Sequence, residues 1–286
     1  MSTVAADTER GGAVPPVGAS PQVVADLLRG ARTAVLTGAG VSTDSGIPDY
    51  RGVGSPRRTP MTFQQFVGSH AARQRYWAGS HLGWPRFASA RPNAGHTALA
   101  RLEAAGLVCG VITQNVDGLH LRAGSSRVVD LHGSLDRVSC LDCGQQFARS
   151  SVAEWIDSAN PALGARAGRV NPDGDADVGD AADFVVPHCT VCSGMLKPDI
   201  VYFGELVPRD RFDAASDLIA SADALLIAGS SLAVNSGIRL LEQAFRRRLP
   251  VIIINRGPTK GDRKASVKMD AGTSESLTAI AERLLD

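Results

Sequence analysis

Five short apolar runs recur along the chain, each rich in β-branched residues and each ending abruptly in small or polar ones. They are Thr33–Thr37 before Gly38-Ala39-Gly40, Val108–Thr113 before Gln114-Asn115-Val116-Asp117, Val128–Leu131 before His132-Gly133, Ala224–Ala228 before Gly229-Ser230-Ser231, and Val251–Ile254 before Asn255. Runs of this length without apolar–polar alternation predict strands buried on both faces, as in a parallel sheet. Between them, apolar residues at helical spacing predict helices over His96–Ala105, Arg211–Ser221 and Ile238–Arg248. Pro21–Arg29 reads as an amphipathic helix with Ser20 as its N-cap. The β-α-β rhythm predicts a Rossmann-like, doubly wound α/β fold. In open sheets of this kind ligands bind outside the carboxyl ends of the strands. All five runs deliver their polar residues to that rim, which predicts a ligand cleft there.

Two segments interrupt the rhythm and divide the chain. Residues 21–48, 93–139 and 193–286 form the expected Rossmann-like domain. Residues 49–92 hold Phe63, Phe66, Tyr76, Trp77 and Trp84 with helical stretches and no strand pattern, and read as a helical insertion partly covering the cleft. Residues 140–192 form a separate module bounded by cysteine pairs. Its acidic stretch Asn171–Asp183 lacks the twelve-residue register and terminal glutamate of an EF-hand, so a solvated loop is the expectation. Residues 1–20 combine Asp7 and Glu9 with glycines and prolines and carry no apolar stretch. They read as a disordered tail, and neither a secretory signal nor a transmembrane span is recognisable in them.

Composition narrows the chemistry. Thirty basic against twenty-nine acidic side chains give a formal charge of +1, which predicts no broad footprint for nucleic acid or a membrane surface. Four of the five cysteines form two CxxC pairs, Cys140–Cys143 and Cys189–Cys192. Each spacing lets two thiolates converge on one ion, so the four can close a tetrahedral zinc site. With every position taken by sulfur, the zinc is structural and the reaction lies elsewhere. His188, beside Cys189, is a possible stray ligand that the four thiolates make unnecessary. Cys109 reads as a small buried hydrophobe. Free thiols with a zinc knuckle imply a reducing compartment. Only four of the basic residues are lysine, which points to a GC-rich genome, so a bacterial cytoplasm is the expectation.

Gly38-Ala39-Gly40 directly after the first strand permits a tight turn and close approach of a pyrophosphate to backbone N–H groups. Glycines at a strand-to-helix junction also serve the turn alone. The dehydrogenase continuation is missing: the third glycine comes late, at Gly46, and no second strand ends in an acid about twenty residues on.

The continuation is GAGVSTDSGIPDYR from Gly38 to Arg51, followed by TQNVDGLH, LHGSLDRVSCLDCG, LKPDIVYFGE, AGSSLAV and IIIN. This ordered set, from about Ala31 to the C-terminus, resembles the sirtuin family of NAD-dependent protein deacylases, with the paired cysteines where sirtuins carry their zinc ribbon. The PDYR variant, the long excursion between the pairs and NRGPTKGD at 255–262 look like the class II branch, which includes a mitochondrial animal member.

The resemblance implies a reaction in which the acyl oxygen of a modified lysine attacks the anomeric carbon of the nicotinamide ribose. Nicotinamide leaves and O-acyl-ADP-ribose forms. It assigns His132 as general base, an imidazole expected near its unperturbed pKa of ~6.5. It places Asp117 on the nicotinamide carboxamide, Asn115 on the ribose or a water, and Gln114 beside them; in isolation the same turn could cap a helix. Gly38, Ala39, Gly40, Thr43, Asp49, Tyr50 and Arg51 fall on the cofactor loop. Gly229, Ser230 and Ser231, with Asn255, Arg256 and Gly257, fall where phosphate and adenosine ribose are held, although Ser230-Ser231 could instead N-cap the next helix. Thr273 falls near the adenine. Val201, Tyr202, Phe203 and Gly204 fall on the segment that pairs with the acylated peptide as an added strand, and would equally suit an ordinary edge strand.

Two rival functions remain open at this point. Mono-ADP-ribosyl transfer or NAD hydrolysis would use the same cleft, and a non-catalytic NAD-sensing module would bind without releasing nicotinamide. Acyl preference stays open as well, because Arg57, Arg58, Arg73 and Arg75 cannot be placed as counter-charges from sequence.

Overall fold

The computed structural model describes residues 18–49, 60–163, 178–179 and 181–286. Tyr50, Arg51, Arg57, Arg58, the tail before residue 18 and most of the acidic 171–183 stretch lie outside the described residues.

The large sheet has six parallel strands in the order β3-β2-β1-β7-β8-β9. They are β1 (Thr33–Thr37), β2 (Val108–Thr113), β3 (Val128–Asp130), β7 (Ala224–Ala228), β8 (Val251–Ile254) and β9 (Val267–Met269). Register is continuous at the centre, where Val35 lies between Val111 and Leu226. Strand residues alternate between two cores. On one face Val35, Val111, Leu226 and Ile252 pack under α1 (Pro21–Leu28), α4 (Ala94–Ala104) and α9 (Thr273–Leu285), through Val24, Leu28, Leu99, Leu102, Leu277 and Ile280. On the other, Leu36, Ile112, Leu225, Ile227 and Ile253 pack under α7 (Arg209–Ala220) and α8 (Asn235–Arg246), through Leu218, Ile219, Leu240 and Leu241. Burial on both faces is why these strands carry no alternation.

The sheet departs from expectation in its small print. β3 stops at Asp130, one residue before the predicted end, although Leu131 still donates its N–H to the Thr113 carbonyl at 2.9 Å and packs in the core below α7. Three helices begin earlier than their apolar period indicates. In α4, for example, Asn93 caps the first turn and His96 closes a capping box onto its backbone. β9 escaped sequence reading because it is three residues long with a charge at its centre. Lys268 is nevertheless buried, its ammonium bonded to the Asp262 carboxylate at 2.6 Å and the Gly257 carbonyl at 3.0 Å.

A second, antiparallel sheet orders β5-β4-β6, from β4 (Gly133–Cys140), β5 (Gln146–Ala148) and β6 (Leu196–Ile200). Residues 133–139 and 196–200 therefore pair with each other on the zinc-module side, beyond the 140–192 limits read from sequence. Against this sheet pack α2 (Phe63–Gly68), α3 (His70–Ser89) and α6 (Arg149–Ala159). Phe66, Tyr76 and Trp77 share one apolar cluster with Val138, Val152, Ile156 and Leu196. The helical insertion and the cysteine module thus share a core. Among the described helices of the insertion, α3 reaches the cleft at its end, where Phe87 joins Ile47, Leu119 and Leu135. Cys109 is half-buried rather than fully buried, and desolvation raises its thiol pKa.

Candidate functional site

The carboxyl ends of β1, β2, β3, β7 and β8 open onto one cleft of about 1650 Å³. Every described residue expected to hold a cofactor or substrate lines it. Gly38, Ala39, Gly40 and Thr43 come from the turn after β1, with Asp49 further along that segment. Gln114, Asn115 and Asp117 follow β2, and His132 follows β3. Gly229, Ser230 and Ser231 follow β7; Asn255, Arg256 and Gly257 follow β8; Thr273 starts α9. Val201–Gly204 form the facing lip. Tyr50 and Arg51 lie outside the described residues.

The glycines are fixed first by contact between two turns. A Cβ on Gly40 would stand 2.9 Å from the Gly229 Cα, and one on Gly38 would stand 2.8 Å from the Gly229 carbonyl oxygen. Gly229 itself has φ +62°, and its Cβ would lie 2.5 Å from the Val41 nitrogen. The β1 and β7 turns therefore pass backbone to backbone at the centre of the cleft floor. Side chains then stitch the floor together. Ser230 Oγ donates to Gln114 Oε1 at 2.6 Å, Thr43 Oγ1 donates to the Gly40 carbonyl at 3.2 Å, and Thr273 Oγ1 donates to the same carbonyl at 3.0 Å. Asn255 Nδ2 donates within its own turn, to the Arg256 and Gly257 carbonyls. The Ser-Ser pair does not cap α8, whose N-cap is Val234.

Beside the floor lies a polar chain that sequence reading only partly anticipated. Asp117 is buried, with Oδ1 accepting from the Leu119 N–H at 2.9 Å and Oδ2 from Ser42 Oγ at 2.7 Å. Ser42 Oγ also receives Asn115 Nδ2 at 3.1 Å and lies 3.5 Å from His96 Nε2. His96 Nδ1 accepts the Asn93 N–H at 3.3 Å, so the proton of the neutral ring sits on Nε2 and points at Ser42. The His120 ring packs at a tilt 4.8 Å from that of His96 and contacts Thr37 Oγ1 at 2.9 Å. Desolvation holds His96 at a pKa of about 4 and His120 at about 3. Ser42, His96 and His120 were missed as site residues. Their one sequence signal was position: Ser42 follows the glycine turn, and both histidines sit at the first turn of a helix beside the rim.

His132 is anchored at both nitrogens. Nδ1 lies 3.0 Å from the Gln114 carbonyl oxygen, and Nε2 lies 2.8 Å from Ser236 Oγ at the start of α8. Burial lowers its pKa below the unperturbed value assumed from sequence, with the Gln114 contact opposing the shift. The adjoining lip is held by backbone bonds: Val201 N–H donates to the His132 carbonyl at 2.9 Å, and Phe63 N–H donates to the Phe203 carbonyl at 3.0 Å. One side of the lip is thus already paired to the N-terminus of α2.

At the other end of β4, the four cysteine Sγ atoms lie within 4.8 Å of one another. Cys140 Sγ is 3.6 Å from Cys192 Sγ, and Cys143 Sγ is 3.7 Å from Cys189 Sγ. Zinc–sulfur bonds of ~2.3 Å in tetrahedral arrangement separate the sulfurs by about 3.8 Å, so the thiolates fit a zinc ion. His188 stands outside this cluster, in a bridge with Met195.

Known proteins resemble this chain over most of its length. The Sir2 family model matches residues 38–236. NAD-dependent protein deacetylase 1 of Mycobacterium avium (strain 104) is 55% identical over 272 residues, covering 93% of this chain and 95% of that protein. The bovine mitochondrial NAD-dependent protein lipoamidase sirtuin-4 is 44% identical, covering 92% of this chain and 87% of its own length. A solved Sir2–p53 peptide–NAD+ complex superposes with a TM-score of 0.70 at 30% identity, covering 93% of this chain and 98% of that one. From the glycine turn after β1 to the serine that holds His132, the chain belongs to the Sir2 family.

Proposed function

We propose that the protein is an NAD-dependent protein-lysine deacylase that uses His132 as general base, and that the four cysteines hold a structural zinc. The observation that carries this reading is the placement of His132. Its imidazole lines the cleft between the glycine floor and the Val201–Gly204 lip, where a nucleotide and an acyl-lysine would meet. NAD, when bound, supplies the glycosidic bond whose cleavage drives acyl removal.

Gln114 fixes the proton of the neutral His132 ring on Nδ1, because a carbonyl oxygen only accepts. Nε2 is then the basic nitrogen, and Ser236 O–H donates to it until a substrate hydroxyl takes that place. Asn115 and Asp117 are held by Ser42 and the Leu119 N–H with their polar atoms at the same rim, suited to orienting the carboxamide and the ribose. An acylated peptide docks on the lip edge opposite the one that Phe63 already occupies. The relatives are bacterial deacetylases and a mitochondrial lipoamidase. No helix among the described residues is long and apolar enough to cross a membrane. A cytoplasmic, acyl-protein-directed enzyme is the proposal.

The test is incubation of the purified protein with acetyl-lysine peptide and NAD, read by mass spectrometry. Stoichiometric nicotinamide, deacetylated peptide and O-acetyl-ADP-ribose support the reading. ADP-ribose attached to protein, with the acetyl group left in place, would replace it with ADP-ribosyl transfer.

A further inference from the structure

Of the four arginines that could not be placed from sequence, Arg57 and Arg58 lie outside the described residues and the other two supply no counter-charge in the cleft. Arg73 is spent on the Phe66 and Val67 carbonyls at 3.0 and 2.9 Å, capping the end of α2. Arg75 lies exposed on α3 and does not line the cleft. Among the described residues three arginines do line it: Arg209, Arg239 and Arg256. Arg256 belongs to the turn after β8, against Gly272 and far along the rim from the lip. Arg209 pairs with Asp213 at 3.4 Å on the exposed start of α7. Arg239 has no carboxylate within ion-pair distance among the described residues. Its guanidinium instead stacks 4.0 Å from the centre of the Phe212 ring.

Position gives that stacking a consequence. Arg239 lies three residues after Ser236 on α8, and Ser236 is the hydroxyl on His132 Nε2. Residues three apart share a helix face, and long side chains lean back over the preceding turn. Arg239 therefore shares a helix face with the hydroxyl that meets the proposed base. Phe212 holds the guanidinium at the cleft lining, where its fork of N–H donors suits a carboxylate. Exposed Phe203 and Leu206, with Val207, line the same cleft.

We infer that Arg239 is a specificity-determining residue which selects acyl-lysine substrates bearing a carboxylate near the acylated side chain. This rests on the deacylase reading above. The carboxylate has two chemical sources: the far end of a dicarboxylic acyl chain, or an acidic residue beside the acyl-lysine in the peptide.

The experiment measures kcat/KM for nicotinamide release with four peptides of one sequence: acetyl-lysine or glutaryl-lysine, each flanked by neutral or by acidic residues. Wild type is compared with R239A and R239E. A partly exposed charge-assisted bond implies a preference of about tenfold for the carboxylate partner. The ratio of carboxylate-bearing to neutral substrate should fall about tenfold in R239A. In R239E it should invert, with the neutral-flanked acetyl peptide becoming the better substrate. Loss confined to the glutaryl peptides assigns the carboxylate to the acyl chain, and loss confined to acidic flanks assigns it to the peptide. Ratios within twofold of wild type in every arm, with acetyl peptide still turned over, would overturn this inference alone. Absence of nicotinamide release from all four peptides by the wild type would remove the deacylase reading and this inference with it.

Discussion

His132 Nε2 lies 2.8 Å from Ser236 Oγ, so the helix after β7 meets the proposed base on its lone-pair side. Burial and that donated O–H both favour the neutral ring, and the lowered pKa follows from the first of these. The acid limb of kcat/KM should therefore fall below pH ~6.5, the value of a free imidazole. S236A removes the donor to the neutral form, so its limb should move upward. His132→Ala should lose about 10²–10⁴-fold in turnover while nucleotide affinity, read by calorimetry, is retained. An acid limb at or above 6.5 in the wild type would contradict the burial-lowered pKa of His132.

A second pH effect concerns folding. His96 and His120 are both buried, with pKa values lowered to about 4 and about 3 by desolvation. A ring whose folded pKa is depressed binds its proton more readily once unfolded. The stability it contributes is fully present above pH ~6.5 and is lost as pH falls toward the folded value, at roughly 1.4 kcal/mol per pH unit per ring. Denaturant midpoints should drop steadily from pH 7 to pH 4, and a double H96Q/H120Q variant should flatten that slope. An unchanged slope in the double variant would place the acid sensitivity elsewhere.

The lip rests on an ion pair between a buried lysine and a half-buried glutamate. Lys197 Nζ is 2.9 Å from both Glu205 carboxylate oxygens and 2.6 Å from the Ile200 carbonyl, and Glu205 Oε2 also accepts the Tyr202 N–H at 2.8 Å. The pair thus sets the backbone of the segment proposed to receive the peptide. K197M leaves a carboxylate without its cation and should cost about 3–5 kcal/mol in chemical denaturation. K197M/E205L should recover much of that stability, yet raise KM for the acyl-peptide several-fold because the Tyr202 N–H loses its acceptor. KM for NAD should move less. Equal rises in both constants would show a general loosening instead of a role in placing the lip.

Much of this was legible in the chain because the parallel strands are buried on both faces. Val35 and Leu36 feed opposite cores, so their run is apolar throughout, and its end is marked by Gly38. The rim residues were legible through their place after each strand. Three features were not. β9 hides behind Lys268, whose charge is buried only because Asp262 comes from six residues away to meet it. The shared core of α3 and the zinc module depends on Tyr76 and Trp77 meeting Val152 and Ile156, a long-range pairing that no local period records. Ser42 and His96 meet only when two separate segments fold against Asp117, and neither spacing nor composition announces that meeting.

Zinc removal should reach the site through that shared core. Structural zinc sites contribute an apparent ~10–16 kcal/mol, which rivals the ~5–15 kcal/mol stability of a whole domain. Cys140 ends β4, and β4 begins at Gly133, directly after His132. Losing the ion should therefore melt the small sheet, release α2 and α3 from their contacts with Val138 and Leu196, and free the Phe63 tether on Phe203. Metal analysis should return one zinc per chain. Chelation or C143S should abolish deacylation and the near-ultraviolet circular dichroism of Trp77 and Trp155, with most far-ultraviolet signal surviving from the six-stranded sheet and its helices. Full activity at zero measured zinc would sever the link between the thiolate cluster and the placement of His132.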